Sequence, residues 1–265
     1  MQQSLLPHQI DLWVEPFAGS SAVALALEGV GRPPFTYQGG KSSLAEPTLS
    51  ALRLREGGRA RRYLLNDLGP VIRFYRALKS DANAVARCVE GTPEGRAGYT
   101  ALMAAPVPED PFRFAAAYAC LQASSVLGKP PNIRDGRWRC AGYAVRGRLN
   151  PRALSKRLRA VGARLERMPA DFVQGDAVAI FADGVPPRTV VYIDPPYRGT
   201  TRYLHHASRA DVIDMAGKWV ERGAVVAIAE AEALQMDGGR IVELQRQDRR
   251  GLIPGRREFL TILGE

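Results

Sequence analysis

The segment Val190-Val191-Tyr192-Ile193-Asp194-Pro195-Pro196-Tyr197 constrains the fold more than any other part of the chain. It reads as a buried apolar strand that two consecutive prolines bring to an end, since proline fixes φ and carries no N–H. The strand delivers an acid, two prolines and an aromatic ring to its carboxyl end, and open α/β sheets place their ligands outside that edge. The plainer alternative is an ordinary Pro-Pro turn with a tyrosine on the surface.

The rest of the chain supplies the other strands and helices of such a sheet. Asp11 to Phe17 is a short apolar run, Ser20 to Glu28 has helical composition, and Ser42 to Arg55 reads as a helix. Arg61 to Asp67 is a strand and Gly69 to Lys79 a helix. Further on come strands at 171–176, 189–194, 224–230, 240–244 and 258–263, with a helix near 210–222. This alternation predicts an α/β fold with a mostly parallel sheet and helices on both faces. Between them, residues 82–127 read as helices interrupted at Pro93, Pro106, Pro108 and Pro111, and 128–150 is rich in Gly, Pro and Arg. Asn150 then caps a basic helix with Pro151 in its first turn, running to about Met168. The organisation expected is a catalytic domain of residues 1–80 and 166–265, with 81–165 inserted.

Composition narrows the class. With 265 residues, one α/β domain carrying an insertion is the natural size. The 37 Lys and Arg against 27 Asp and Glu leave a formal charge of +10, which favours a polyanionic partner. Cys88, Cys120 and Cys140 are widely spaced and form no C-x-x-C pair, so neither a disulfide framework nor a zinc site is expected. His205 and His206 are too close together to share a metal comfortably, and no metal is expected. No segment approaches the roughly 20 apolar residues of a membrane span, and Met1 to Leu12 lacks the pattern of a signal peptide. A soluble, cytoplasmic protein is the expectation.

Four further segments carry candidate chemistry. In Glu15-Pro16-Phe17-Ala18-Gly19-Ser20, a strand, a small-residue turn and a helix start would let backbone N–H groups approach a ligand. Asn66-Asp67 ends the next strand, where an acid commonly takes ribose hydroxyls, although a cap on the following helix is an equal alternative. Tyr37-Gln38-Gly39-Gly40-Lys41 places an aromatic and a cation on a Gly-Gly loop. Gly175-Asp176 ends another strand and can serve an adenine ring or a turn.

The acidic Pro-Pro turn suits one reaction in particular. The exocyclic nitrogen of adenine is a poor nucleophile that gains positive charge as it attacks a sulfonium methyl, so acceptors aimed at its hydrogens lower the barrier. Asp194 can offer a carboxylate, Pro195 a carbonyl, and Tyr197 a flat face for a base swung out of the helix.

Together these residues resemble the Dam-like family of DNA adenine methyltransferases. The resemblance rests on Tyr37 to Lys41, Glu15 to Gly19, and Asn66-Asp67 with Val71, Ile72, Phe74 and Tyr75. Asp194 to Tyr197 and the closing Arg257 to Ile262 complete it. Two departures stand out: the Gly-Gly-Lys segment follows the Glu-Pro-Phe turn instead of preceding it, and Ser21 stands where the turn's second glycine is expected. The resemblance implies a Rossmann-like class I fold with a seven-stranded sheet, and S-adenosylmethionine (SAM) as methyl donor. It implies a SAM site of Glu15, Pro16, Phe17, Ala18, Gly19, Ser20, Tyr37, Gly39, Gly40, Lys41, Asp67, Asp176 and Asp194. Catalysis would then fall to Asp194, Pro195, Pro196 and Tyr197.

The inserted segment supplies the cations. Arg134, Arg137, Arg139, Arg146 and Arg148, with Trp138 interleaved, are expected to contact double-stranded DNA, and Arg152, Lys156, Arg157 and Arg159 extend the basic run. A solvated basic helix with a loop is the plainer alternative. Within the enzyme class, methylation of cytosine N4 or of adenine in RNA stays open, and outside it a DNA-binding relative without catalysis.

Overall fold

The computed structural model describes residues 10–55, 57–144, 149–180, 184–195, 207–244 and 257–265. In chain order these form β1 (Ile10–Glu15), α1 (Ala22–Glu28), α2 (Ala45–Ala51), β2 (Ala60–Asn66), α3 (Val71–Ser80), α4 (Ala82–Glu90), α5 (Gly95–Ala104) and α6 (Pro111–Ser124). There follow β3 (Asn132–Arg134), β4 (Arg137–Arg139), α7 (Pro151–Leu165), β5 (Ala170–Val173), β6 (Thr189–Ile193), α8 (Arg209–Glu221), β7 (Val225–Glu230), β8 (Arg240–Leu244) and β9 (Glu258–Leu263). Two compact units result: residues 1–31, 41–68 and 169–265 form one, and 32–40 with 69–168 the other.

The first unit is built on a seven-stranded sheet of order β5-β2-β1-β6-β7-β9-β8. β5, β2, β1, β6 and β7 run parallel, whereas β9 pairs antiparallel with both β7 and β8. The mostly parallel α/β architecture read from the sequence is thus present. Its centre is covered on both faces, because every residue of β6 and all but one of β1 are buried. Alternation sorts the strand residues: Leu12 and Val14, Val191 and Ile193, and Val226 and Ile228 share a cluster with Val212, Met215, Ala216 and Trp219 of α8. Those four helical residues recur at positions i, i+3, i+4 and i+7, the period that presents one apolar stripe to a sheet. On β1 and β6 the intervening side chains also meet, with Trp13 and Tyr192 stacked at 6.2 Å between ring centroids.

Strand order determines where a ligand can enter. From β1 the chain builds outward in one direction through β2 and β5, then returns to lay β6 and β7 on the opposite side. β1 and β6 therefore flank the topological switch point, and their carboxyl ends carry Glu15 and Asp194.

The second unit is helical. α6 is its centre, buried from Phe114 to Gln122, with Asp110 capping it by accepting from the Arg113 N–H at 2.7 Å and Pro111 in its first turn. Helices stop where the prolines require: α4 ends before Pro93 and α5 before Pro106. α7 begins on the expected cap, with Asn150 Oδ1 accepting from the Ala153 N–H at 2.9 Å. Gly162 lets α7 lie against α4, since a β-carbon there would sit 2.1 Å from that of Ala82. α3 groups with these helices and not with the sheet, so the main segment of this unit begins at Gly69, ahead of the division expected at residue 81, and residues 32–40, expected in the catalytic domain, belong to it as well.

Two local features differ from the sequence reading. The helix expected over 42–55 is confined to Ala45–Ala51, and Arg53 beyond it takes a left-handed φ of 57°, which an α-helix cannot continue through. The stretch 128–150 contains a hairpin, β3–β4, turned by Asp135 and Gly136 with φ of 53° and 68°. Positive φ at both turn residues is the geometry that an Asp-Gly pair favours. Among the described residues no helix is long and apolar enough to cross a membrane.

Candidate active site

Three strand ends of the first unit are tied together by one side chain. Asn66, the last residue of β2, donates from Nδ2 to the Pro16 carbonyl at 2.8 Å and to the Gly175 carbonyl at 3.0 Å. Its own carbonyl accepts from the Ala18 N–H at 2.7 Å. The turns after β1, β2 and β5 are thus held in register, and among the described residues no donor reaches Asn66 Oδ1, which is buried. Asp67 continues the arrangement by accepting from the Gly19 N–H at 2.9 Å. The helix-cap alternative loses support, because the N-cap of α3 is Pro70, with no side-chain cap.

The turn after β1 behaves differently from its sequence reading. Its amides were expected to face a ligand, but those of Ala18, Gly19 and Ser21 bond to Asn66, Asp67 and Ala18 within the protein. The Ala24 N–H in the first turn of α1 donates to Glu15 Oε1 at 2.9 Å. The physical reason is that Glu15 is buried and must find donors; the indole N–H of Trp13 gives it a second, at 3.0 Å. Burial raises the Glu15 carboxyl pKa to about 8, against the lowering effect of those two donors. Pro16, Phe17, Ala18, Gly19 and Ser20 make up the turn, with Gly19 at a φ of 48°. Ser21 adopts φ 50° and ψ 32° at the N-cap of α1, the left-handed conformation that glycine takes most readily.

Asp194 stands just past the end of β6, its side chain 19% exposed and its Oδ1 3.1 Å from the Lys41 ammonium. Lys41 is itself buried and also bonds Glu258, the first residue of β9. Burial works to lower the Lys41 pKa, but the two facing carboxylates outweigh it and hold it above the usual lysine value. The ammonium is therefore charged, and it faces two acids. Pro195, also buried, continues the chain. Pro196, Tyr197, His205 and His206 lie outside the described residues.

Of the remaining candidates, Asp176 is exposed and caps a short 3-10 turn, accepting from the Val178 N–H at 3.1 Å. Tyr37, Gly39 and Gly40 belong to the second unit, where the Gly40 N–H bonds the Tyr37 carbonyl at 2.9 Å. The sequence reading missed Glu258 as a partner of Lys41, quoting it only within the final strand. An acid heading the otherwise apolar run Phe259-Leu260-Thr261-Ile262-Leu263 was the available signal. It likewise missed the brace formed by Asn66.

In the second unit the basic candidates divide by strand alternation. Arg134, Arg137 and Arg139 are exposed on the β3–β4 hairpin, with Arg134 directly opposite Arg137. Like charges placed across a strand pair repel, and here Asp135 lies 3.6 Å from the Arg134 guanidinium while Arg137 donates to the Ala104 carbonyl at 3.2 Å. Trp138 requires a correction. Expected to interleave with the arginines in contacting DNA, it is 1% exposed and packs on Phe114 and Tyr118 at 5.2 and 6.4 Å between centroids. Period-two geometry sends its ring to the face opposite Arg137 and Arg139. Arg146 and Arg148 lie outside the described residues.

The carboxylates of Asp67, Asp176 and Asp194 are hydrogen-bond acceptors at or just beyond the ends of β2, β5 and β6. Among the described residues, no group of three His, Cys, Asp or Glu side chains is arranged to hold a metal. No protein-family model matches the chain, and a search of curated proteins finds no match.

Proposed function

We propose that this chain is a SAM-dependent methyltransferase acting on the exocyclic N6 of an adenine extruded from double-stranded DNA. The observation that carries the reading is the position of Asp194: a partly exposed carboxylate at the carboxyl end of a buried strand, beside the switch point, steadied by a buried ammonium. A seven-stranded, mostly parallel sheet agrees with the fold this reading calls for.

Asp67, Asp176 and the Pro16–Ser20 turn would hold the nucleoside part of SAM, with Asn66 keeping their strand ends together. When bound, SAM supplies a methyl group made electrophilic by its sulfonium. The rest is work for the protein. Asp194 accepts a hydrogen bond from the target amine and favours the positive charge that grows there, and the Pro195 carbonyl offers a second acceptor. Both act on the transition state more than on the bound ground state. The exposed guanidiniums of Arg134, Arg137 and Arg139 meet phosphates, and the base leaves the stack because its amine cannot otherwise reach the methyl group.

The test is product analysis. Purified protein is incubated with unmethylated plasmid DNA and isotopically labelled SAM, and the digested nucleosides are separated by mass spectrometry. N6-methyladenine is the expected product, and it is lost in Asp194→Ala while retention of the plasmid on a gel persists. N4-methylcytosine would redirect the reading to the other conjugated amine, and no transfer to any base would overturn it.

A further inference from the structure

We propose that Glu258 is a positioning residue for the reaction: it holds Lys41 so that Lys41 can orient Asp194 without neutralising it. The inference rests on the methyltransferase reading above and adds a residue that the chemistry does not touch directly.

The geometry joins three distant parts of the chain. Lys41 lies on the loop before α2, Asp194 at the end of β6 and Glu258 at the head of β9, with β7 between the two strands. The Lys41 ammonium bonds Asp194 Oδ1 at 3.1 Å and also bonds Glu258. Side-chain exposures of 5% for Lys41 and 8% for Glu258 shield this charge sharing from water. A lysine facing Asp194 alone would form a closed ion pair, drawing electron density from the carboxylate that must accept from the amine. With Glu258 on the same ammonium, the lysine's charge is divided between two acids. Asp194 is then fixed in direction while the cluster keeps an excess of one negative charge. That excess lies where positive charge grows on the amine.

This division of labour predicts a specific pattern among variants. Glu258→Gln leaves Lys41 to Asp194 alone, so turnover falls while SAM binding is preserved. Glu258→Asp keeps the charge and recovers part of the loss. Lys41→Met leaves the buried Glu258 and the half-buried Asp194 carboxylates without their shared cation, whereas Lys41→Met with Glu258→Gln leaves only Asp194, so the double variant is more stable than the lysine variant alone.

The experiment measures kcat and SAM KM on plasmid DNA, and thermal midpoints without DNA, for the full chain and these four variants. Expected for Glu258→Gln is a fall in kcat of about 30-fold with SAM KM within about threefold, the signature of an interaction expressed in the transition state. Glu258→Asp should recover at least half of that loss on a logarithmic scale. A Glu258→Gln enzyme within about twofold of wild type in kcat, or altered only in KM, overturns the role. If Glu258→Gln fails to fold, Glu258→Asp and the double variant decide: the role falls if the aspartate variant turns over no faster than the double. A wild-type chain that transfers no methyl group removes the functional reading and this role with it. Active wild type with an equally active Glu258→Gln removes the role alone.

Discussion

Gly19 donates its amide hydrogen to Asp67 Oδ2 across 2.9 Å, linking the small-residue turn after β1 to the end of β2. The Asp67 carboxylate thus serves the fold, and under the methyltransferase reading it also serves the ribose that binds beside it. Asp67→Ala removes both functions and should weaken SAM affinity about tenfold or more, equivalent to at least ~1.4 kcal/mol. Asp67→Asn keeps a carbonyl oxygen for Gly19 and should lose less. Titration calorimetry of the two variants separates these effects, and an unchanged affinity in the alanine variant removes Asp67 from the binding site.

The buried carboxyl of Glu15 gives the fold a pH dependence of definite sign. Its pKa is raised from 4.5 to about 8, chiefly by burial. Between those values the unfolded chain releases a proton that the folded chain retains, so stability falls as pH rises through the window and levels off above it. Glu15→Gln keeps an oxygen for the Trp13 and Ala24 N–H groups and carries no titrating proton. Thermal midpoints measured without ligand should decline from pH 5 to pH 8 in the wild type, and less steeply in the glutamine variant. Parallel profiles would show that Glu15 is not the group responsible.

How far the sequence discloses this structure depends on the range of the interaction involved. The sheet strands β1, β2, β5 and β6 follow from local periodicity, and the caps at Asp110 and Asn150 follow from residue types beside the helices they start. Lys41 was legible as a special residue, but not its partners. They lie 153 and 217 positions further along the chain, and strand order brings them close. The hairpin is legible in Asp135-Gly136, although basic charge dominates the segment. With the hairpin in place, alternation alone puts the Trp138 ring on the side opposite Arg137 and Arg139.

Ser21 has a conformation that its side chain disfavours. At φ 50° its β-carbon crowds the backbone, at a cost of about 1–2 kcal/mol for a residue with a side chain. Its hydroxyl is buried, and no hydrogen-bond partner reaches it among the described residues. Ser21→Gly relieves both and should raise the thermal midpoint by roughly 2–4 °C, the shift that ~1 kcal/mol produces in a chain of this size. Scanning calorimetry checks it, and a lower midpoint would mean that the serine makes a compensating interaction.

The two faces of β4 should fail in different ways. Replacing Arg137 and Arg139 by alanine removes exposed guanidiniums and leaves the Trp138 packing in place, so the thermal midpoint stays near that of wild type. Duplex binding should weaken, and the slope of log affinity against log salt should fall by about 1 for each phosphate that is no longer neutralised. Trp138→Ala acts from the other side: it empties a space beside Phe114 and Tyr118 and should destabilise the second unit by about 3–5 kcal/mol. Fluorescence anisotropy across a salt series, paired with urea unfolding, distinguishes the two. An arginine pair whose removal leaves the salt slope unchanged would place the DNA interface elsewhere on this unit. The tryptophan variant separates packing from recognition, because what affinity it loses should return under conditions that restore its fold.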